Sequence, residues 1–245
     1  LGVGFFRGSA AASAAFFGSP AIGESEGNGM KIEYFGHSCV RLTVEDGTRI
    51  LIDPYDGIGY PMPRLRAEIV LCTHGHFDHH YLEGVEGARE VIEKVGSYDR
   101  GPVHIEGIAA FHDDVGGAKR GRDIVFVIED GSARVCHMGD IGELPRADLL
   151  RAIGKVDLLF VPVGGTYTVD AEGALAYIEA VRPRVAMAIH YSCSGCSLDI
   201  AGIESLCKLA GNRCARLNVS SFDTDLLPRY AGKVLVAERR TDAGE

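Results

Sequence analysis

The 245-residue chain has 34 acidic and 25 basic side chains, a formal net charge of −9, and an ordinary globular balance of 46% hydrophobic and 24% charged residues. The acid excess argues against general nucleic-acid affinity, which needs a basic surface. No apolar run reaches the ~18 residues of a membrane span, and the length suits one large domain or two small ones with a substantial core.

Residues 1–29 differ in composition from the rest. They are rich in Gly, Ala and Ser, hold two Phe-Phe pairs, and carry only Arg7 as a basic residue. They read as a disordered extension or a non-native start, because Met30 directly precedes the first clear strand. The structured domain is therefore expected over 30–240. The seven cysteines are scattered, with Cys39, Cys72 and Cys136 inside apolar runs. That is not a disulfide framework and implies a reducing, cytoplasmic setting. Cys193-Ser-Gly-Cys196 has no second Cys-x-x-Cys beside it and reads as free thiols.

Lys31-Ile-Glu-Tyr-Phe reads as a strand, Gly36-His37-Ser38 turns it, and Cys39-Val-Arg-Leu-Thr-Val alternates in strand fashion. Asp46-Gly47 is a hairpin signal, and Arg49-Ile-Leu-Ile is the returning strand, ended by Asp53-Pro54. The Pro- and Gly-rich stretch 54–66 is a loop whose Tyr55 and Tyr60 are expected at a pocket mouth. An apolar strand then runs into His74-Gly-His76-Phe-Asp78-His79-His80, which holds four of the chain's nine histidines. In extended chain His74 and His76 point to one side. Asp78 and His79 follow where the chain must turn. Two ligand groups split by a turn can serve two neighbouring metals.

A long strand over Val103–Phe111 ends at His112, followed by a flexible basic loop with Lys119, Arg120 and Arg122. A hairpin around Asp130-Gly131 runs into His137-Met-Gly-Asp140. Counting in twos, Met138 shares a face with Asp140 and His137 points away, which leaves His137 as a core histidine or one that supports a ligand from behind. Helices are expected over 144–153, through Val181 with Asp170 or Thr168 as cap, and near 199–209. The strand Arg184–Ile189 ends at His190.

The His-x-His-x-Asp-His run after a strand resembles the signature of the metallo-β-lactamase superfamily, and the likeness extends over about residues 30–240. Pro162-Val-Gly-Gly-Thr-Tyr-Thr-Val-Asp170 with Ile189-His-Tyr is most similar to the branch of ascorbate-6-phosphate lactonase. The resemblance implies an α/β fold, a four-layer αββα sandwich with ligands from both halves meeting along one edge. It implies a dinuclear centre: His74, His76 and His112 on one ion, Asp78, His79 and His190 on the other, and Asp140 bridging. Asp78 doubles as the catalytic group that orients the nucleophile and carries its proton. His37 and Asp53 correspond to residues near the metals in similar proteins, and are expected to orient ligands. Arg120 and Arg122 are expected to meet an anionic substrate. His80 is a bystander.

The activity implied is a metal-dependent hydrolase in which a hydroxide shared by two divalent ions attacks a small ester, lactone or phosphoester. Nitrogen and oxygen ligation suits zinc first, with manganese or iron permitted. The alternatives are a nuclease of the same superfamily, an iron-dependent thiol oxygenase, and a non-catalytic metal-binding module. The partner expected is a small molecule, with nucleic acid and membrane disfavoured and a homo-oligomer left open.

Overall fold

The run Ile124-Val125-Phe126-Val127-Ile128 sends alternate side chains into two different hydrophobic layers. Ile124, Phe126 and Ile128 join one buried cluster and Val125 and Val127 another. Such alternation, the period-2 geometry of a strand, lays out the whole molecule. The computed structural model describes residues 29–243; the extension expected over 1–29 lies outside them except for Gly29.

The first strands are β1 (Lys31–Gly36), β2 (Cys39–Thr43), β3 (Arg49–Ile52), β4 (Leu65–Arg66), β5 (Ile69–Leu71), β6 (Val85–Glu86) and β7 (Glu90–Ile92). Next come β8 (Gly96–Arg100), β9 (Val103–Phe111), β10 (Arg122–Glu129) and β11 (Arg134–His137). The last are β12 (Leu158–Pro162), β13 (Val185–Ile189), β14 (Cys214–Arg216), β15 (Ser221–Asp223) and β16 (Val234–Val236). The α-helices are α1 (Ala147–Ile153), α2 (Ala171–Val181) and α3 (Glu204–Ala210).

A six-stranded sheet in the order β15-β1-β2-β3-β5-β7 faces an eight-stranded sheet in the order β14-β16-β13-β12-β11-β10-β9-β8. Between them lies the main core, including Ile32, Leu42, Ile50 and Leu71 from one sheet and Phe126, Leu158, Phe160 and Met187 from the other. A second core, with Val125, Leu159, Val161 and Tyr177, lies under the helices. Asp170 caps α2, accepting from the backbone N–H groups of Glu172 and Gly173.

The outer face of the six-stranded sheet is covered by loop residues rather than helices among the described residues. Tyr55 and Tyr60 are buried there with Phe35, Cys39, Leu51 and Leu65. The expectation that these tyrosines line a pocket mouth is therefore wrong. The Tyr55 hydroxyl donates to the Phe35 carbonyl at 2.8 Å, so a residue of a proline-rich loop serves as the roof of a sheet. Cys193 and Cys196 are free thiols and pack against this layer. Cys207 and Cys214 form a disulfide across the end of α3, with Cα atoms 5.2 Å apart, a pairing that the scattered cysteines did not predict. No helix of the described residues is long and apolar enough to cross a membrane.

Pairing directions decide which strand ends share an edge. β1 and β2 are antiparallel, β2 and β3 antiparallel, and β3 and β5 parallel. Hence β1, β3 and β5 end at one edge. In the other sheet β9 and β10 are antiparallel, β10 and β11 antiparallel, and β11, β12 and β13 parallel. Hence β9, β11 and β13 end together, and β10 begins where they end.

On the outer face of the six-stranded sheet Glu33 is buried between two arginines. It accepts from Arg41 Nε at 2.7 Å and from Arg240 at 2.6 Å. Arg41 also reaches the carbonyl of Ala243 at 3.0 Å, which ties the C-terminal segment to the sheet. Removing one partner of a buried pair leaves an uncompensated charge. Glu33→Ala is expected to cost about 3 kcal/mol, read as a lowered urea midpoint of the metal-free protein; an unchanged midpoint would show that solvent replaces the carboxylate.

Candidate metal centre

Each strand end at the shared edge delivers a polar side chain. β1 is followed by His37, β3 by Asp53, β5 by His74 to His79, β9 by His112, β11 by Asp140 and β13 by His190. Three of these residues turn with left-handed backbone: φ is 52° at His37, 50° at Asp53 and 51° at His190. Non-glycine residues seldom adopt that region. Here it turns the chain sharply at the last rung of the sheet. The His190 N–H donates to the His37 carbonyl at 2.8 Å, so the two sheets are stitched together at the site.

The donor atoms form overlapping groups, each within 4.8 Å: His74, His76 and His112; His37, Asp78, His79 and His190; and His74, His79 and Asp140. Asp140 lies between the first two. Its Oδ1 is 3.2 Å from His79 Nε2, and its Oδ2 is 3.1 Å from His190 Nε2 and 3.4 Å from His112 Nε2. The structure thus brings together every residue expected as a ligand. His37, expected only to support the ligands, stands among the donors, with Nε2 3.2 Å from Asp78 Oδ2. His76 and its neighbours Gly75 and Phe77 are exposed, whereas Asp78, His79, His112, Asp140 and His190 are buried. The cluster therefore opens to solvent on the side of His76.

Behind the donors, Asp53 accepts from the Thr73 N–H at 2.8 Å and the Thr73 hydroxyl at 2.9 Å. It also lies 3.0 Å from His79 Nδ1. His137 is fully used elsewhere: Nε2 donates to the Ser38 carbonyl at 2.8 Å, and Nδ1 accepts from the Gly139 N–H at 3.1 Å. His80 pairs with Glu93 at 3.0 Å and takes no part.

Arg120 donates to the Thr166 carbonyl at 2.6 Å and stacks over the Tyr167 ring. It braces two neighbouring loops. Its own loop is pinned by Asp113, whose carboxylate accepts from the backbone of Val115, Gly117, Lys119 and Arg120. Arg122 stands exposed at the start of β10, opposite Phe111.

Asp123 is a site residue that the sequence pattern did not single out. It is 1% exposed, and its Oδ1 is 3.4 Å from His74 Nδ1. Ligands were expected at the C-terminal ends of strands. Asp123 begins β10, and an antiparallel strand begins at the edge where its neighbours end. A carboxylate directly before the apolar run 124–128 was the available signal.

The electrostatics follow from burial. Burial, and then the neighbouring His79 charge, lowers the pKa of His74 from 6.5 to about 3. Burial and His190 lower that of His37 to about 4. Burial also opposes the charged form of His79, but Asp140 and Asp53 outweigh it and hold this imidazole well above its ordinary range. Burial resists ionisation of Asp140 too, yet His190 and His79 keep its carboxyl well below the usual range. Asp123 goes the other way, raised by burial and by the charges of Asp140 and Asp53.

Much of this polar surface has no partner within the protein. His74 Nε2, both nitrogens of His79 and His190, and Asp140 Oδ1 are buried without a hydrogen bond of normal geometry. Buried polar groups are rarely left so. A dense set of imidazoles and carboxylates with unmet lone pairs fits a divalent transition metal.

The Beta-lactamase superfamily domain matches residues 31–190. The chain belongs to the metallo-β-lactamase superfamily. A UPF0173 protein of Pyrococcus furiosus is 35% identical over 192 residues, 66% of this chain and 83% of that protein. A UPF0173 metal-dependent hydrolase of Thermus thermophilus is 32% identical over 197 residues, 66% of this chain and 84% of that protein. A solved structure from Thermotoga maritima, assigned to the same superfamily, aligns with TM-score 0.70 at 32% identity, covering 85% of this chain and 98% of that one. The sandwich of two facing sheets is this superfamily's fold.

The shifted groups set a pH dependence for the metal-free protein. Below pH 6.5 the unfolded chain binds protons that His37, His74, His112 and His137 refuse when folded, so stability falls as pH falls. Asp123 opposes this with one retained proton and is outnumbered. Above pH 6.5, His79 holds a proton in the folded state that the unfolded chain releases, so stability falls as pH rises. Thermal unfolding in chelator should therefore show a maximum near pH 6.5. A midpoint that climbs steadily through pH 8 would contradict it.

Proposed function

We propose that the protein is a metal-dependent hydrolase with a dinuclear centre acting on a small ester, lactone or phosphoester. The observation that carries this reading is Asp140, whose two oxygens face imidazoles of both donor groups. In this reading His74, His76 and His112 hold one divalent ion, Asp78, His79 and His190 hold the other, and Asp140 bridges. Zinc is the first expectation, and manganese or iron suits the same donors. When bound, two such ions lower the pKa of water and polarise a carbonyl or phosphoryl oxygen.

The remaining roles belong to the chain. Asp78 sits at the solvent-facing side of its group, 8% exposed, with its Oδ2 on His37. It orients the attacking water and accepts its proton; His37 fixes its rotamer. Asp53 holds His79 from behind through Nδ1, which keeps Nε2 directed at the centre. The exposed face at His76 and Phe77 admits the substrate. Arg120, with the guanidinium edge not used on Thr166, and the exposed Arg122 are proposed to favour an anionic substrate. The acid excess of the whole chain supports a small molecule over nucleic acid.

The test is hydrolysis of a panel of lactones, carboxylic esters, phosphoesters and single-stranded nucleic acid by chelated protein reloaded with Zn²⁺, Mn²⁺ or Fe²⁺. His76→Ala and Asp140→Ala are each expected to lower kcat by about 10²-fold or more while the chain stays folded. Activity that survives chelation, or full activity in either variant, would overturn the mechanism. Nucleic acid as the one substrate turned over would replace the small-molecule reading with the nuclease.

A further inference from the structure

Asp123 is buried, charged by type and without a part in the proposed hydrolysis. Its position is fixed by the backbone. The Ile124 N–H donates to the Thr73 carbonyl at 3.0 Å, which locks the start of β10 to the end of β5, across from one sheet to the other. Gly139 then makes room for the side chain. A Cβ at that position would lie 2.5 and 2.7 Å from the two Asp123 oxygens and 2.8 Å from Thr73 Cβ. The carboxylate is therefore wedged between Thr73-His74 on one sheet and Gly139-Asp140 on the other.

Its nearest side-chain partner is His74, with Oδ1 3.4 Å from Nδ1. At strict hydrogen-bond geometry neither oxygen has a partner, although the Asp140 N–H is directed at it. The tautomer of His74 can be derived from its other neighbour. The Thr73 hydroxyl donates its single proton to Asp53 Oδ2 at 2.9 Å. Thr73 Oγ1 lies 3.0 Å from His74 Nδ1, so it can only accept there. Two acceptors, Thr73 Oγ1 and Asp123 Oδ1, thus face the same Nδ1–H. The lone pair of Nε2 is left for the site, and Nε2 is buried without a partner.

We infer that Asp123 is a positioning residue for metal binding, the carboxylate that fixes His74 by its Nδ1–H and strengthens Nε2 as a donor. This rests on the reading that His74 is a ligand. Thr73 supplies a neutral oxygen already committed to Asp53, and Asp123 supplies the second acceptor oxygen to the same proton. A carboxylate behind a ligating histidine raises its basicity, and losing such a partner commonly weakens metal affinity 10–100-fold. The same group is a burden without the ion. An under-satisfied carboxyl buried beside Asp140 and Asp53 destabilises the metal-free fold. A carboxylate kept only for structure would have the opposite sign.

Two measurements on the full chain decide it: competition of Zn²⁺ and of Mn²⁺ against a chromophoric chelator, and thermal unfolding with and without the ion. Asp123→Asn, nearly isosteric, and Asp123→Ala are compared with wild type. The expected result is metal-free variants that unfold at the wild-type temperature or above it. One of the two binding events weakens about 10–100-fold and the other changes little. Unchanged affinity for both ions in both variants overturns the inference. So does an affinity loss that merely tracks a lowered unfolding temperature of the metal-free protein. Wild type that binds no ion would overturn the hydrolase reading along with it. Wild type that binds two ions, with variants that bind them equally well, would overturn the role of Asp123 alone.

Discussion

Asp140 touches three imidazoles that arrive on three different strand ends: His79 after β5, His112 after β9 and His190 after β13. One of these strands belongs to the six-stranded sheet and two to the eight-stranded sheet, so the carboxylate closes the sandwich at its active edge. Its own approach depends on Gly139, whose φ of 54° and missing side chain let Asp123 and Thr73 crowd against the backbone. The hydrophobic core holds the sheets together, and the polar joint at Asp140 sets how their edges meet.

The cost of that joint is carried by the backbone and by burial. Left-handed conformations at His37, Asp53 and His190 cost about 1–3 kcal/mol each, and the buried carboxylates add to that. Such strain persists only where surrounding structure over-determines it. Here the determinants are visible: sheet ladders run to the residue before each turn, and His190 N–H binds the His37 carbonyl across the sheets. The frame tolerates the strain because its core is extensive and apolar on both sides of the larger sheet.

The donor residues after strand ends were legible in the sequence because each lies where an apolar run stops. His112, Asp140 and His190 could be placed that way, but the split between Asp140 and His137 comes from a turn and not from strand alternation: β11 ends at His137 and Gly139 has φ 54°. Three things were not legible. His37 joins the donors only because β1 and β5 run in the same direction with β2 and β3 between them, a fact of pairing and not of local pattern. Asp123 needed the direction of β10. The tyrosines of 54–66 were misread because a Pro-rich stretch looks like surface, whereas here it covers a sheet face that no helix of the described residues covers. Each miss concerns sheet topology, which a local window does not contain.

The metal-free protein also shows how the site stays intact without an ion. His79 sits between Asp140 and Asp53, and those two carboxylates hold its proton. That imidazolium supplies positive charge at the place where a divalent ion is proposed. His74 and His37 remain neutral, since a second and third charge in the same enclosed space would repel the first. Metal ligation requires neutral imidazole, so an ion held as proposed would take the place of the His79 proton, whereas His74 and His37 are already neutral. Asp140 and Asp53 are anionic without the ion, so the carboxylates that hold the His79 proton already stand where a divalent cation would need them.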